Sequence, residues 1–140
     1  MGKINWGRVA LGGLLAGVVL NVYDWLLNGV ILMNDWNTAL QALGKGQMGG
    51  SMVVWFVVCD FLIGLWTLWF YAAIRPRYGA GPKTALIAGL GGWALIGLIN
   101  TLSTLPMGIL PPGLLHWNLI GALIMYPVAA VAGAALYQEA

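Results

Sequence analysis

The chain has 140 residues, of which 61% are hydrophobic and only 7% are charged, and its formal net charge is +2. Soluble domains carry roughly 25% charged residues, so this composition excludes a water-soluble globule, and the many large apolar side chains exclude a disordered chain. The small net charge argues against nucleic acid as a partner, and the single cysteine excludes an internal disulfide. The sequence therefore predicts an integral membrane protein.

Four apolar segments are long enough to cross a hydrocarbon layer of roughly 30 Å as helices, which takes about 20 residues each. They cover residues 9–32, 52–74, 84–105 and 114–137. Their apolar runs are continuous rather than alternating, which favours helices over the strands of a membrane barrel. We predict an all-α fold, a four-transmembrane-helix bundle that forms one membrane domain over residues 1–140.

The first span contains three polar residues within LNVYDWLLNGV, namely Asn21, Asp24 and Asn28. Their spacing of i, i+3 and i+7 places them on one face of a helix. An aspartate at the centre of a transmembrane helix costs about 2.5–3.5 kcal/mol to insert, so Asp24 should face protein or water rather than lipid.

The loop after the first span is the longest of the three. Its residue pattern predicts a short interfacial helix on the membrane surface. Asn34 is a candidate N-cap, Gly44 would end the helix, and Trp36, Leu40 and Leu43 would share one face.

Basic residues predict the orientation of the bundle. The N-terminus and the second loop carry Lys3, Arg8, Arg75, Arg77 and Lys83, whereas the opposite side carries only Lys45. Because basic residues accumulate in cytoplasmic segments, both termini should be cytoplasmic. In the second loop, RPRYGAGP predicts a tight turn that Pro76 and Pro82 close.

Polar residues of all four spans lie at a similar depth, away from the basic ends. They are Asn21, Asp24, Asp60, Asn100, Ser103, His116 and Asn118. His116 is the only candidate cation near the two acids. We predict that these residues form a polar intramembrane cluster, a candidate ion or ligand site.

Three interpretations of this cluster remain open. In the first, amides and hydroxyls bridge the helices while the two acids are hydrogen-bonded and neutral. In the second, Asp24 and Asp60 bind a proton or a cation. In the third, the cluster forms a pocket for a small ligand, a lipid headgroup or a pigment, walled by Trp25 and Trp117.

Catalytic and cofactor motifs such as G-x-S-x-G, the P-loop and H-E-x-x-H are missing from the sequence. Asp24, Asp60, Cys59 and His116 have no recognised metal-ligand spacing, and bis-histidine haem ligation would need a second histidine. We therefore predict no enzyme, no metal site and no cofactor other than bound lipids, and we do not expect haem or pigment.

Small residues predict where helices approach closely. Gly13 and Gly17 on the first span, Gly92 on the third and Gly133 on the fourth belong to small-xxx-small patterns. The second span is rich in Trp and Phe, so we expect the first, third and fourth spans to pack most closely and the second to present aromatic surface to lipid or to another subunit.

The two halves of the chain also align with each other. Laying the first span on the third matches Asn21 with Asn100, and laying the second on the fourth matches LIG at 62–64 with LIG at 119–121. A true duplication would give a 2+2 parallel tandem repeat. Chance is the alternative, because runs rich in Gly, Ala and Leu align easily.

The segments KINWGRVALGGLLAGVVLNV and WFYAAIRPRYGAGPKTALIAGL resemble small bacterial integral membrane proteins with four predicted spans and no assigned activity. The resemblance implies an inner-membrane location and assigns no functional residue. With so little chain outside the spans, we expect a structural or assembly protein, either a homo-oligomer or a subunit of a larger membrane complex. The alternative is a small transporter or channel for protons, cations or small molecules that uses Asp24 and Asp60.

Overall fold

The computed structural model describes residues 3–139, and in this range the regular structure is helical throughout. The helices are α1 (Trp6–Ile31), α2 (Met33–Ala42), α3 (Ser51–Tyr78), α4 (Pro82–Met107) and α5 (Pro112–Ala134). All except α2 are long and apolar enough to cross a membrane, with mean hydropathies between 1.6 and 2.0. The predicted all-α fold with four such helices is confirmed, and each long helix begins one to three residues before its predicted span.

Two of the long helices contain π-helical segments, which widen the helix by one residue per turn. The residues Leu27–Ile31 end α1, and Trp93–Leu98 interrupt α4. Each segment holds a glycine beside the indole of a tryptophan four residues earlier. A Cβ atom at Gly29 would lie 3.1 Å from Cδ1 of Trp25, and one at Gly97 would lie 3.1 Å from Cδ1 of Trp93. Because glycine has no side chain, these two positions leave room for the indoles.

The turn between α3 and α4 differs from the predicted one. α3 continues through Pro76 to Tyr78, so this proline does not close the turn. The chain reverses instead at Gly79 and Gly81, whose φ angles of +84° and +123° suit glycine. Pro82 then begins α4, where a missing N–H costs little.

The short helix α2 begins two residues earlier than predicted and without a side-chain cap. Leu32 occupies the N-cap position, and Asn34 lies inside the helix. The helix packs through Ala39 against Leu114 of α5, while Leu43 is exposed. Gly44 ends it as predicted, with a φ of +70°.

The packing order of the long helices corrects the prediction from the small-residue patterns. α1 packs chiefly against α3 and also against α5, whereas α4 packs against α5 and α3. α1 and α4 lie across the bundle from each other. The expectation that the first, third and fourth spans pack most closely was wrong, because Gly64 gives the otherwise bulky α3 a bare position facing α1.

Gly13 and Gly17 form the α1–α3 seam together with Gly64. A Cβ atom at Gly13 would lie 2.7 Å from the Cα of Leu65, and one at Gly17 would lie 2.9 Å from the Cα of Phe61. Contacts this short with backbone atoms mean that the two helices touch at the main chain.

Glycines also form the two seams on α5. A Cβ atom at Gly133 would lie 2.5 Å from the carbonyl oxygen of Gly12, and one at Gly89 would lie 2.5 Å from the Cα of Pro127. At Gly92 the nearest atom to a Cβ would be 3.5 Å away, so this glycine tolerates a methyl group. Gly13, Gly17 and Gly133 therefore lie at close helix contacts, and Gly92 does not.

Because the seams lie in one half of the bundle, its two ends differ in how tightly the helices pack. We call the end that carries Arg8, Arg75, Arg77 and Lys83 the basic end. The half toward it is filled by small and aliphatic side chains, among them the fully buried Ala16, Leu20, Leu68, Ala85 and Ala88. Toward the opposite end, no seam joins α1 and α4, and a cavity lies between them.

Candidate acidic cavity

The cavity, which we call the acidic cavity, has a volume of about 350 Å³. Residues of all five helices line it, and both π segments contribute, through Leu27 and Asn28 from α1 and through Ile96 and Gly97 from α4. Its polar lining consists of Asp24, Asn28, Cys59, Asp60, Asn100, Thr101, Thr104, Asn118 and the polar tips of Trp36 and Tyr126. It is a mixed polar and apolar space with carboxyl groups on two of its walls.

Asp60 is the most unusual residue of the cavity. Its side chain is only 8% exposed, and its Oδ2 atom has no hydrogen-bond partner among the described residues. A buried polar atom without a partner costs free energy, so protein folds rarely retain one without a reason. The carboxyl group lines the acidic cavity, where a ligand or water could supply the missing contact.

Asp24 faces the same cavity from α1 and is held by a relay of hydrogen bonds. Asn28 Nδ2 donates to Asp24 Oδ1 over 2.7 Å, and Trp36 Nε1 donates to Asn28 Oδ1 over 2.7 Å. The relay connects the short helix α2 to the acid. The amide of Asn28 points its nitrogen at Asp24 because its oxygen is already engaged by the indole.

The charge of this cavity is unbalanced. Among the described residues that line it, none is Lys, Arg or His. The predicted counter-charge His116 is exposed and does not line the cavity. The helical periodicity explains this outcome, because His116 is two residues before the lining residue Asn118 and therefore projects from a different face of α5. Two carboxyl groups thus line one cavity, and none of its described lining residues is cationic.

The predicted polar cluster divides when it is placed in the structure. Asp24, Asp60, Asn100 and Asn118 line the acidic cavity, Asn21 lines a neighbouring cavity, and Ser103 and His116 line neither and are exposed. Each of the four acidic-cavity members comes from a different long helix, so the fold brings together residues that are far apart in the sequence.

Most of the amides and hydroxyls do not bridge helices as the first interpretation proposed. Asn118 Nδ2 donates to the carbonyl oxygen of Leu114 and Ser103 Oγ to that of Ile99, and both bonds stay within one helix. Asn21 and Asn28 are exceptions. Asn21 Nδ2 donates over 3.4 Å to the carbonyl oxygen of Val57 on α3, and Asn28 Oδ1 accepts from Trp36 Nε1 on α2.

A second cavity of about 490 Å³, which we call the apolar cavity, adjoins the first. The two share Asp24, Asn28, Trp36, Phe56 and Asn118 in their walls. The rest of its lining is Asn21, Trp25, Gly29, Met33, Met48, Gly49, Val53 and Val57. Trp25 therefore walls a pocket as predicted, whereas Trp117 is exposed and lines neither cavity.

Sequence reasoning did not assign Trp36, Thr101 or Tyr126 to the site. Trp36 was predicted to belong to a surface helix, although its indole reaches Asn28 of α1. Tyr126 is only 5% exposed. The sequence did not mark it as a site residue, because it lies in a continuous apolar run.

Within residues 3–139, no group of three or more His, Cys, Asp and Glu side chains is arranged to hold a metal ion. No protein-family model, no curated protein and no solved structure matches this chain. Arguments about its function therefore depend on the geometry of the two cavities.

Proposed function

We propose that the chain is a multi-pass membrane protein of the bacterial inner membrane, and that it binds a small cation or a protonated amine in the acidic cavity. The observation that carries this proposal is the buried, unpartnered Oδ2 atom of Asp60 facing a cavity that also contains Asp24. The role is one of binding rather than catalysis. It favours the transport alternative over a purely structural one.

Charge is the main argument for a cationic ligand. Two carboxylates that line one partly desolvated cavity repel each other, and Coulomb interactions are stronger there than in bulk water. A cation or proton between Asp24 and Asp60 would relieve this repulsion and supply the partner that Asp60 Oδ2 lacks. An anionic ligand would add to the repulsion.

The closed half of the bundle supports a binding site that is shut toward the basic end rather than a permanently open channel. Below the cavity, toward the basic end, Leu20, Thr67 and Leu68 are at most 2% exposed. The glycine seams hold the helices together at the main chain in this half. Release of a ligand toward the basic end would require these helices to separate.

The membrane orientation follows from the basic end, which we propose faces the cytoplasm together with both termini. The acidic cavity would then open toward the outer side. Fusions of green fluorescent protein and alkaline phosphatase to the C-terminus test this orientation. We expect fluorescence without phosphatase activity, and the reverse pattern would overturn it.

Substitution of the two acids tests the cation site. Wild-type protein in neutral-lipid nanodiscs should bind ethylammonium, and Asp60→Asn and Asp24→Asn should each weaken binding by about tenfold or more, since a buried charge pair is removed. Asp35→Asn is the matched control, because Asp35 is exposed on α2 and lines neither cavity. Absence of binding to the wild type, or equal loss in the control, would refute the proposal.

A second candidate role, assembly with another copy of the chain, is favoured by the first two turns of α3. Between Ser51 and Cys59 every residue except Met52 is exposed, and the segment is apolar on all sides, with Trp55 at 68% exposure. Such a segment suits contact with a neighbouring helix in the membrane. Native mass spectrometry from lipid nanodiscs should then detect a homo-oligomer, whereas a monomer alone would refute assembly.

A further inference from the structure

We infer that the ligand is an amphipathic amine, whose ammonium group lies between the two acids and whose hydrocarbon part occupies the apolar cavity. This inference rests on the proposed cation site and names the class of its ligand. It is carried by a separate observation, the adjoining second cavity and the chemistry of its walls.

The two cavities meet at a common wall that already contains the acid. Asp24 lines both, as do Asn28 and Phe56. A molecule with its charge at Asp24 can therefore extend into the apolar cavity without leaving the protein. Their separate volumes of about 350 and 490 Å³ lie in the range of roughly 300–1,000 Å³ that is typical of sites for small organic molecules.

The walls of the apolar cavity match a hydrocarbon rather than a second charge. Trp25, Met33, Met48, Val53 and Val57 supply apolar surface, and methionine side chains adapt to irregular apolar partners. Among its described lining residues, Asp24 is the only one with an acidic or basic side chain. A bare inorganic cation would leave this second cavity unused.

The position of the apolar cavity also provides an entrance for such a molecule. Trp25, Val53 and Val57 are exposed on the outer surface of the bundle and also line the cavity. In a membrane this surface faces acyl chains, where amphipathic amines accumulate with their charge near the interface. Asp24 lies in the wall of the same cavity.

The test compares ethylammonium with decylammonium in neutral-lipid nanodiscs by calorimetry, with the Asp24→Asn/Asp60→Asn double variant as the background for partition into lipid. Decylammonium should bind the wild type about tenfold or more tightly than ethylammonium, because methylene groups enter the apolar cavity. Val57→Phe should remove most of this gain by filling the apolar cavity.

Val58→Phe is the matched control, since Val57 and Val58 are 39% and 41% exposed but Val58 lines neither cavity. The inference is overturned if decylammonium binds no better than ethylammonium, or if both valine variants behave alike. In those cases ethylammonium binding still stands, and so does the cation site. Failure of the wild-type protein to bind ethylammonium would instead refute the proposed function itself.

Discussion

The substitution Gly64→Ala examines the contact that holds α1 against α3. The added Cβ atom would overlap the carbonyl oxygen of Gly13 and would lie 2.6 Å from the backbone nitrogen of Gly17. Ordinary contact begins at 3.4 Å, so the two main chains would have to separate by at least about 0.8 Å at this point. Neither atom belongs to a flexible side chain that could turn away.

The cost of this separation follows from two opposing effects. Overpacking of a well-filled contact typically costs about 1–3 kcal/mol. Replacing glycine by alanine within a helix returns up to about 1 kcal/mol in helix propensity. We therefore expect Gly64→Ala to lower the free energy of unfolding by about 1–2 kcal/mol relative to the wild type.

The assay is unfolding of the purified protein by sodium dodecyl sulfate in mixed micelles, followed by circular dichroism. Gly113→Ala is the matched control, because Gly113 lies in α5 and a Cβ atom there would meet nothing within 4 Å. This control should be as stable as the wild type or slightly more stable. If Gly64→Ala matches the control, the main-chain contact between α1 and α3 is wrong.

Two further predictions concern the α2 relay and the turn before α4. Trp36→Phe removes the hydrogen-bond donor to Asn28 and should weaken the attachment of α2 by about 1 kcal/mol. This loss should appear as faster hydrogen exchange in residues 33–42. Trp55 is exposed, so the control Trp55→Phe should leave exchange unchanged. Unchanged exchange in Trp36→Phe would refute the relay. Gly81→Ala places a side chain at a φ of +123° and should lower the free energy of unfolding by about 1–3 kcal/mol in the same assay. Gly46→Ala is the neutral control, because a Cβ atom there would meet nothing within 4 Å. Equal stability of the two variants would contradict the turn geometry.

The candidate site was predictable only in part from the sequence. Asp24 and Asp60 stand out because a carboxylate inside an apolar run demands a polar neighbour, and this argument needs no coordinates. The identity of the neighbours did need them. His116 and Asn118 lie at similar depth, yet they project from different faces of α5, and only Asn118 reaches the cavity.

Helix packing was also predictable only in part from the sequence. The glycines of α1 were recognised as contact points, but their partner was sought on other glycine-rich helices rather than on the aromatic α3. A single bare position, Gly64, decides the pairing, since α3 needs only one gap at the crossing point. Composition averaged over a helix hides such a gap.

The sequence alone determined that the chain is helical and that four of its helices are long and apolar enough to span a membrane, because backbone polar groups in an apolar stretch of about 20 residues are satisfied only within a helix. The tertiary structure decided which helices touch and where they diverge, and so placed a cavity between α1 and α4 with two acids in its walls. The physical reason is that hydropathy acts on each segment separately, whereas a cavity is created by distances between segments, and these depend on main-chain contacts at a few individual glycines.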